Sequence, residues 1–244
     1  MTIVLEKSNI PKLIETLSRH YSVINYEKDK TALSAKNCFL APREKLFSFF
    51  SKTKKLSARP IPKRKLLLFG LDLADLEALG QLDEIMTKPR EDYFYLRRRR
   101  NSLIVGVVEH SIMMPVVAGD MVLEKINPNQ YRAVVLTKDG QAIIKNKFFK
   151  KVRNPEILIY PEEKNNLREL VKNSELLAEV VSWSGLKNHP IWEKLEKICL
   201  GCGICTYVCP ICHCFSMEDE IEIDCSASHR CRYWDACTLK NFSR

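Results

Sequence analysis

The residues best equipped for chemistry are cysteines. The chain has ten among its 244 residues, and nine of them lie between Cys199 and Cys237. The run Cys199-Leu-Gly-Cys202-Gly-Ile-Cys205-Thr-Tyr-Val-Cys209-Pro210 has the spacing C-x2-C-x2-C-x3-C-P, that of bacterial ferredoxins. Three thiolates on one short loop can reach three corners of a cubane while backbone N–H groups turn towards its sulfurs. Gly201 and Gly203 permit that curl, because glycine takes positive φ without steric cost. Pro210 ends the loop and redirects the cysteine before it. Zinc ribbons show two well-separated C-x2-C pairs instead, and the C-x3-C-x2-C spacing of radical enzymes is absent.

Cys199, Cys202 and Cys205 are therefore expected to bind one [4Fe-4S] cluster, with Cys209, Cys214 and Cys237 as the further ligand candidates. In two-cluster ferredoxins the fourth cysteine of such a run ligates the other cluster. The run is not repeated here; Cys212-His213-Cys214, Cys225, Cys231 and Cys237 follow. The fourth ligand of the first cluster is thus open between Cys209, Cys214 and Cys237. Equally, Cys209 joins the last two in a second, irregular site. One cluster is expected, with cysteines enough for two. Cys225 and Cys231 read as ligands or as unligated thiols in a flexible tail. His213 reads as a hydrogen-bond donor to a ligand.

The elements that must position these thiols come from a chain with 45% apolar and 28% charged residues, enough to build a real core. Its formal net charge is +9. Residues 199–244 carry four basic and six acidic side chains, a net of −2, which leaves +11 for the rest. A basic body followed by an acidic cysteine module is the expected arrangement, divided into residues 1–185 and 186–244. No apolar stretch approaches the ~20 residues of a membrane span, and the N-terminus has no secretory pattern. A cytoplasmic, reducing compartment suits a clustered cysteine set better than a secreted disulfide scaffold does.

Within the body, Pro11–His20 reads as a helix capped by Ser8 or Asn9, followed by short strands at Tyr21–Tyr26 and Thr31–Ser34. Lys52–Lys65 reads as an exposed loop. Leu66–Gly70 and Leu103–Val108 read as buried strands of a βαβ-like unit, with a helix at Asp75–Leu82 between them. Lys138-Asp139-Gly140 suggests a hairpin between Tyr131–Thr137 and Gln141–Lys145. A helix is predicted over Glu162–Val181, a break at Ser182–Asn188, and a short helix at His189–Ile198 leading to Cys199. The fold class expected is an α/β (or α+β) body with a C-terminal, shortened ferredoxin-like iron–sulfur module.

Cys199–Cys214 followed by Arg232-Tyr-Trp-Asp-Ala-Cys237 resembles the iron–sulfur beta subunits of sulfhydrogenase-type nickel–iron hydrogenases and, equally, the corresponding iron–sulfur subunits of anaerobic sulfite reductases. Members typically read C-x2-CG-x-C-x3-CPTC-x-C and then R-x-WD-S-C. Here Cys209-Pro-Ile-Cys212-His-Cys214 and Trp234-Asp235-Ala-Cys237 match closely. The resemblance continues more loosely upstream, through His189-Pro190-Ile191-Trp192, Ala41-Pro42-Arg43-Glu44-Lys45-Leu46-Phe47 and Phe69-Gly70. Ala74-Asp75 stands where a cysteine before an aspartate is expected, and Glu109-His110 follow the second buried strand in place of a cysteine. Members usually continue into a second ferredoxin-like run, whereas this sequence stops seven residues after Cys237. The resemblance implies an electron-transfer role in an anaerobic oxidoreductase complex; the residues themselves read as a low-potential cluster carrier with no substrate site of its own. Its partners would be a catalytic hydrogenase or reductase subunit, together with a flavin-containing NAD(P)H or ferredoxin oxidoreductase subunit.

Other features have plainer readings. Arg97–Arg100 is expected to be a solvated or partner-facing edge. It lacks the interleaved aromatics of single-strand binders, so nucleic acid is not an expected partner. Phe69-Gly70 has neither G-x-G-x-x-G nor a Walker lysine behind it. His110, Met113 and Met114 read as a packed loop and Cys38 as a buried thiol. Trp183, Trp192 and Trp234 are expected to pack the module against the body. The alternative function, from a different class, is a zinc-stabilised basic adaptor that binds nucleic acid or an acidic protein.

Overall fold

A computed structural model describes residues 1–27, 34–58, 60, 62–109, 118–157, 178–179, 182–183, 185, 189–236 and 239. Its centre is a seven-stranded mixed sheet with the order β2-β5-β6-β7-β8-β1-β9. These strands are β1 (Thr2–Glu6), β2 (Ser22–Asn25), β5 (Leu66–Leu71), β6 (Ser102–Val108), β7 (Met121–Asn127), β8 (Gln130–Val135) and β9 (Phe149–Val152). The pairs β2/β5, β5/β6 and β6/β7 are parallel; the remaining pairs are antiparallel.

Both faces of this sheet are covered, which is why its central strands are almost wholly apolar. Leu68, Ile104 and Val122 point to one side, against Leu76, Leu79 and Leu82 of α2 (Leu73–Thr87) and Tyr95 of α3 (Tyr93–Arg99). Leu67, Phe69, Leu103, Val105 and Leu123 point to the other, against Leu13 and Leu17 of α1 (Ile10–Ser18) and Ile143 of α4 (Lys138–Ile143). The expected βαβ unit is present, with α2 and α3 as the crossover between parallel β5 and β6. Asp72 caps α2 by accepting from the Asp75 N–H at 2.8 Å. Asp92 caps α3 in the same way through Tyr95 N–H, also at 2.8 Å.

A second sheet, order β10-β11-β3-β4, is antiparallel throughout. It joins β3 (Arg43–Phe50) and β4 (Lys55–Ala58) to β10 (Phe215–Ile221) and β11 (Ala227–Trp234). The expected division at residue 185 is thus crossed by main-chain pairing, from Ala227↔Phe50 to Tyr233↔Arg43.

Several local expectations are corrected. The segment Lys52–Lys65 is not all loop, because Lys55–Ala58 pairs with β3. Asp139-Gly140 does not turn a hairpin. Thr137 caps a helix there by accepting from Gly140 N–H at 3.3 Å, and the hairpin lies earlier, between β7 and β8. The helix expected at Asp75–Leu82 extends to Thr87, since Met86 continues its buried face. Gly70 lies within β5 at a register irregularity, with φ +87°. A side chain there would also meet Glu27, the nearest atom lying 2.7 Å from the added Cβ. Of the predicted helix Glu162–Val181 only 178–179 are described, and Thr31–Leu33, His110, Met113 and Met114 also lie outside the described residues.

Candidate metal centre

The cysteine run is built from two short helices and a left-handed loop. Helix α5 (Pro190–Ile198) begins at His189, whose ring Nδ1 accepts from Ile191 N–H at 3.1 Å, with Pro190 in its first turn. It ends at Cys199, whose N–H reaches Leu195 O at 2.8 Å. Gly201 and Gly203 then take φ +61° and +70°, as the curl of such a loop requires. An added Cβ at Gly201 would meet nothing within 4 Å, so conformation rather than space calls for glycine there. Helix α6 (Ile204–Val208) starts at Gly203 and closes with Cys209 N–H on Cys205 O at 3.1 Å.

The next segment returns to the body. Asp235 N–H donates to Cys214 O at 3.0 Å, and Trp234 N–H to Pro42 O at 2.9 Å. The Trp234 indole donates to Leu40 O at 3.0 Å and lies edge-on to Tyr207, ring centres 4.9 Å apart. Trp234 thus packs the module on the body, as expected, whereas Trp183 and Trp192 are 60% and 46% exposed.

Beneath the second sheet sits a buried ion network. Arg232 donates to Glu44 at 2.7 Å and to Asp92 at 2.6 Å, and Arg98 pairs with the other Glu44 oxygen. Arg99 holds Asp83 at 3.0 Å and Ala118 O at 2.6 Å. The arginine run is therefore only partly a solvated edge: Arg98 and Arg99 turn inward to carboxylates, while Arg100 pairs loosely with Glu91 at the surface. Glu44 and Arg232 are residues of the two resembling segments, and their shared function is to fasten β11 and β3 to the start of α3.

Lys36 was not singled out by the sequence, yet it is fully buried. It lies in the one-turn helix Ala35–Cys38 of the body. Its ammonium donates to Thr206 O and, at 3.1 Å, to Cys212 O, and it stands 4.1 Å from the centre of the Trp234 ring. Burial holds the Lys36 pKa below its ordinary value, against the opposing pull of the Cys212, Cys209 and Cys214 thiols. Its position beside Cys38, just before Ala41-Pro42-Arg43-Glu44, was the available signal.

The Cys209–Cys214 segment passes this ammonium, which meets Cys212 O at 3.1 Å, and the Cys209 and Cys212 thiols share a hydrogen bond. Burial pushes Cys209 upward, but hydrogen bonds from the Cys212 thiol and from Ile211 and Cys212 N–H leave it below its ordinary value. Burial, then the hydrogen bond and charge of Cys209, push Cys212 up to about 11. Cys199, Cys202 and Cys205 are exposed along the loop, and Cys237 lies outside the described residues. Among the described residues no three His, Cys, Asp or Glu side chains close on a single metal-ion position. Cys231 is not in a flexible tail. It is fully buried in β11, and its pKa is raised by burial and then by Glu220. Cys225 is exposed, at φ +55° in the turn between β10 and β11. His213 is half-buried, with ring Nδ1 3.1 Å from Ile211 O.

These residues fit an iron–sulfur group. The loop carries free thiols on a left-handed backbone, and a buried cation stands against the carbonyls of Thr206 and Cys212 beside them. Such surroundings stabilise an anionic, thiolate-held cluster. Residues 198–244 match the 4Fe-4S dicluster domain family, so [4Fe-4S] clusters are the cofactors of this chain.

Over 231 residues the sequence is 25% identical to sulfhydrogenase 2 subunit beta of Pyrococcus furiosus, covering 88% of this chain and 67% of that protein. Together the two likenesses support an iron–sulfur beta-subunit family: the chain carries a 4Fe-4S domain and is similar to that protein. No solved structure matches it. No helix among the described residues is long and apolar enough to cross a membrane.

Proposed function

We propose that the chain relays electrons within an anaerobic, cytoplasmic oxidoreductase complex. It would stand between a flavin-containing subunit that handles NAD(P)H or ferredoxin and a catalytic subunit of hydrogenase or sulfite-reductase type. The observation that carries this reading is the C-x2-C-x2-C-x3-C-P run on its left-handed glycine loop, fastened to an α/β body. A [4Fe-4S] cluster supplies one-electron transfer at a potential set by its surroundings. In this reading the ferredoxin-like module offers Cys199, Cys202 and Cys205 to one cluster. Cys209, Cys214 and Cys237 complete that cluster or hold a second.

The rest of the chain places the module and shields it. Trp234, held by Leu40 O, backs Tyr207 of the module. The exposed α5–α6 surface, with Ile198, Leu200 and Ile204 among its apolar residues, leaves the loop open to a redox partner. The likeness to a sulfhydrogenase beta subunit supports the catalytic partner, and the flavin partner rests on the family resemblance alone.

The test is reduction of the complex purified without oxygen. NAD(P)H should bleach the iron–sulfur absorbance as dithionite does. Bleaching by dithionite but not by NAD(P)H or reduced ferredoxin would refute the flavin-side assignment.

A further inference from the structure

Lys36 carries a charge that the structure of the body alone does not explain. An ammonium without a counter-ion is costly to bury, yet Lys36 is fully buried and, among the described residues, no carboxylate pairs with it. Its partners are two carbonyls and the face of Trp234, which solvate a cation but leave its charge unbalanced. Its 3.1 Å contact with Cys212 O sets it against the Cys209–Cys214 segment, whose thiols can bear a full negative charge. Its position is also fixed. The neighbouring Ala35, Phe39 and Leu40 are core residues, packed with Leu68 and Trp234.

We propose that Lys36 is a positioning residue that supplies the cysteine module with its counter-charge and thereby raises the reduction potential of the cluster nearest to it. This rests on the electron-transfer reading above and deepens it. One-electron reduction of a cluster held there would add one negative charge to the module that Lys36 contacts. The ammonium keeps its proton, makes and breaks no bond, and favours the reduced state by attraction. A body residue 170 positions before Thr206 thus acts on the potential of a loop it does not belong to.

The experiment is an EPR-monitored redox titration of the full chain, purified without oxygen as wild type, Lys36→Gln and Lys36→Arg, with iron and acid-labile sulfide measured on each. Glutamine keeps a donor for the two carbonyls but removes the charge; arginine keeps the charge. Lys36→Gln should retain iron and sulfide and disfavour reduction about tenfold, a fall of about 59 mV for one electron. Lys36→Arg should stay within about threefold of wild type, that is, within about half that shift.

A Lys36→Gln midpoint within about twofold of wild type would overturn the proposal. So would an equal fall in both variants, since charge would then not be the agent. If Lys36→Gln assembles no cluster, Lys36→Arg decides: assembly at the wild-type potential supports the counter-charge, and failure of both variants reduces Lys36 to a packing residue. A wild-type chain without iron and sulfide would overturn the electron-transfer reading and this inference together, whereas an unmoved potential overturns only the second.

Discussion

Replacement of Arg232 by methionine should destabilise the whole molecule. The Arg232 side chain is 2% exposed and its partner Glu44 is 1% exposed. Removing one member of a buried ion pair costs about 3–5 kcal/mol, because the other charge stays buried. Here Arg98 still faces Glu44, and Asp92 is partly exposed and keeps its cap to Tyr95 N–H, so the lower end applies. A loss of about 3 kcal/mol in a chain of this size lowers the unfolding midpoint by roughly 6–12 °C. Methionine keeps contact with Phe215, which the guanidinium now covers at 5.2 Å, so the loss reports charge more than volume. The assay is anaerobic thermal unfolding, followed by tryptophan fluorescence and by iron–sulfur absorbance. Because β11 pairs with β3, both signals should fall together. A shift below about 2 °C, or a body transition left at its wild-type midpoint while the cluster signal alone moves, would refute the reasoning.

Other perturbations have defined outcomes. Gly140→Ala would place a Cβ 2.1 Å from Asp120 O; overpacking of this kind costs roughly 1–3 kcal/mol, and an unchanged urea midpoint would contradict the contact. Cys202→Ser should remove iron and sulfide associated with the first three cysteines while circular dichroism retains the body's helix and strand signal; full wild-type iron content would exclude Cys202 as a ligand. Burial raises the Cys38 thiol, with the Tyr26 hydroxyl opposing. The native state therefore holds that proton more tightly than the unfolded chain. Its contribution is complete below the ordinary thiol value of 9.0 and is lost as pH rises through the native value. Stability should fall above about pH 9 by less in Cys38→Ala than in wild type, and equal pH profiles would contradict this. In alkylation followed by mass spectrometry, exposed Cys225 should react well before Cys38; equal rates would show that Cys38 is not shielded.

What was legible in the sequence follows from range. Strands β5 and β6 announce themselves because a sheet covered on both faces needs continuous apolar runs, and the glycine–cysteine loop because its spacing and its φ demands are local. The misread hairpin has a local cause too. Asp139-Gly140 is a turn signal, but Thr137 is also a helix cap and Ile143 sits on the buried face of the helix that follows. The network around Glu44 was out of reach, since Arg232 is 188 residues away and β11 borders β3 only through tertiary pairing. Arg98 and Arg99 resemble surface charge until Glu44 and Asp83 are placed beside them. Lys36 is hidden for a similar reason: its place just before Ala41-Pro42-Arg43-Glu44 is a signal, but only the folded chain lays it under Trp234 and against Cys212 O.

The presence of iron–sulfur clusters in the module is tested most directly by iron, zinc and acid-labile sulfide per chain, with EPR of the dithionite-reduced protein purified without oxygen. A brown protein is predicted, with iron and sulfide in equal amounts, about four of each for one [4Fe-4S] cluster or about eight for two, and a cubane signal on reduction. A colourless protein with stoichiometric zinc, no sulfide and no signal would contradict it.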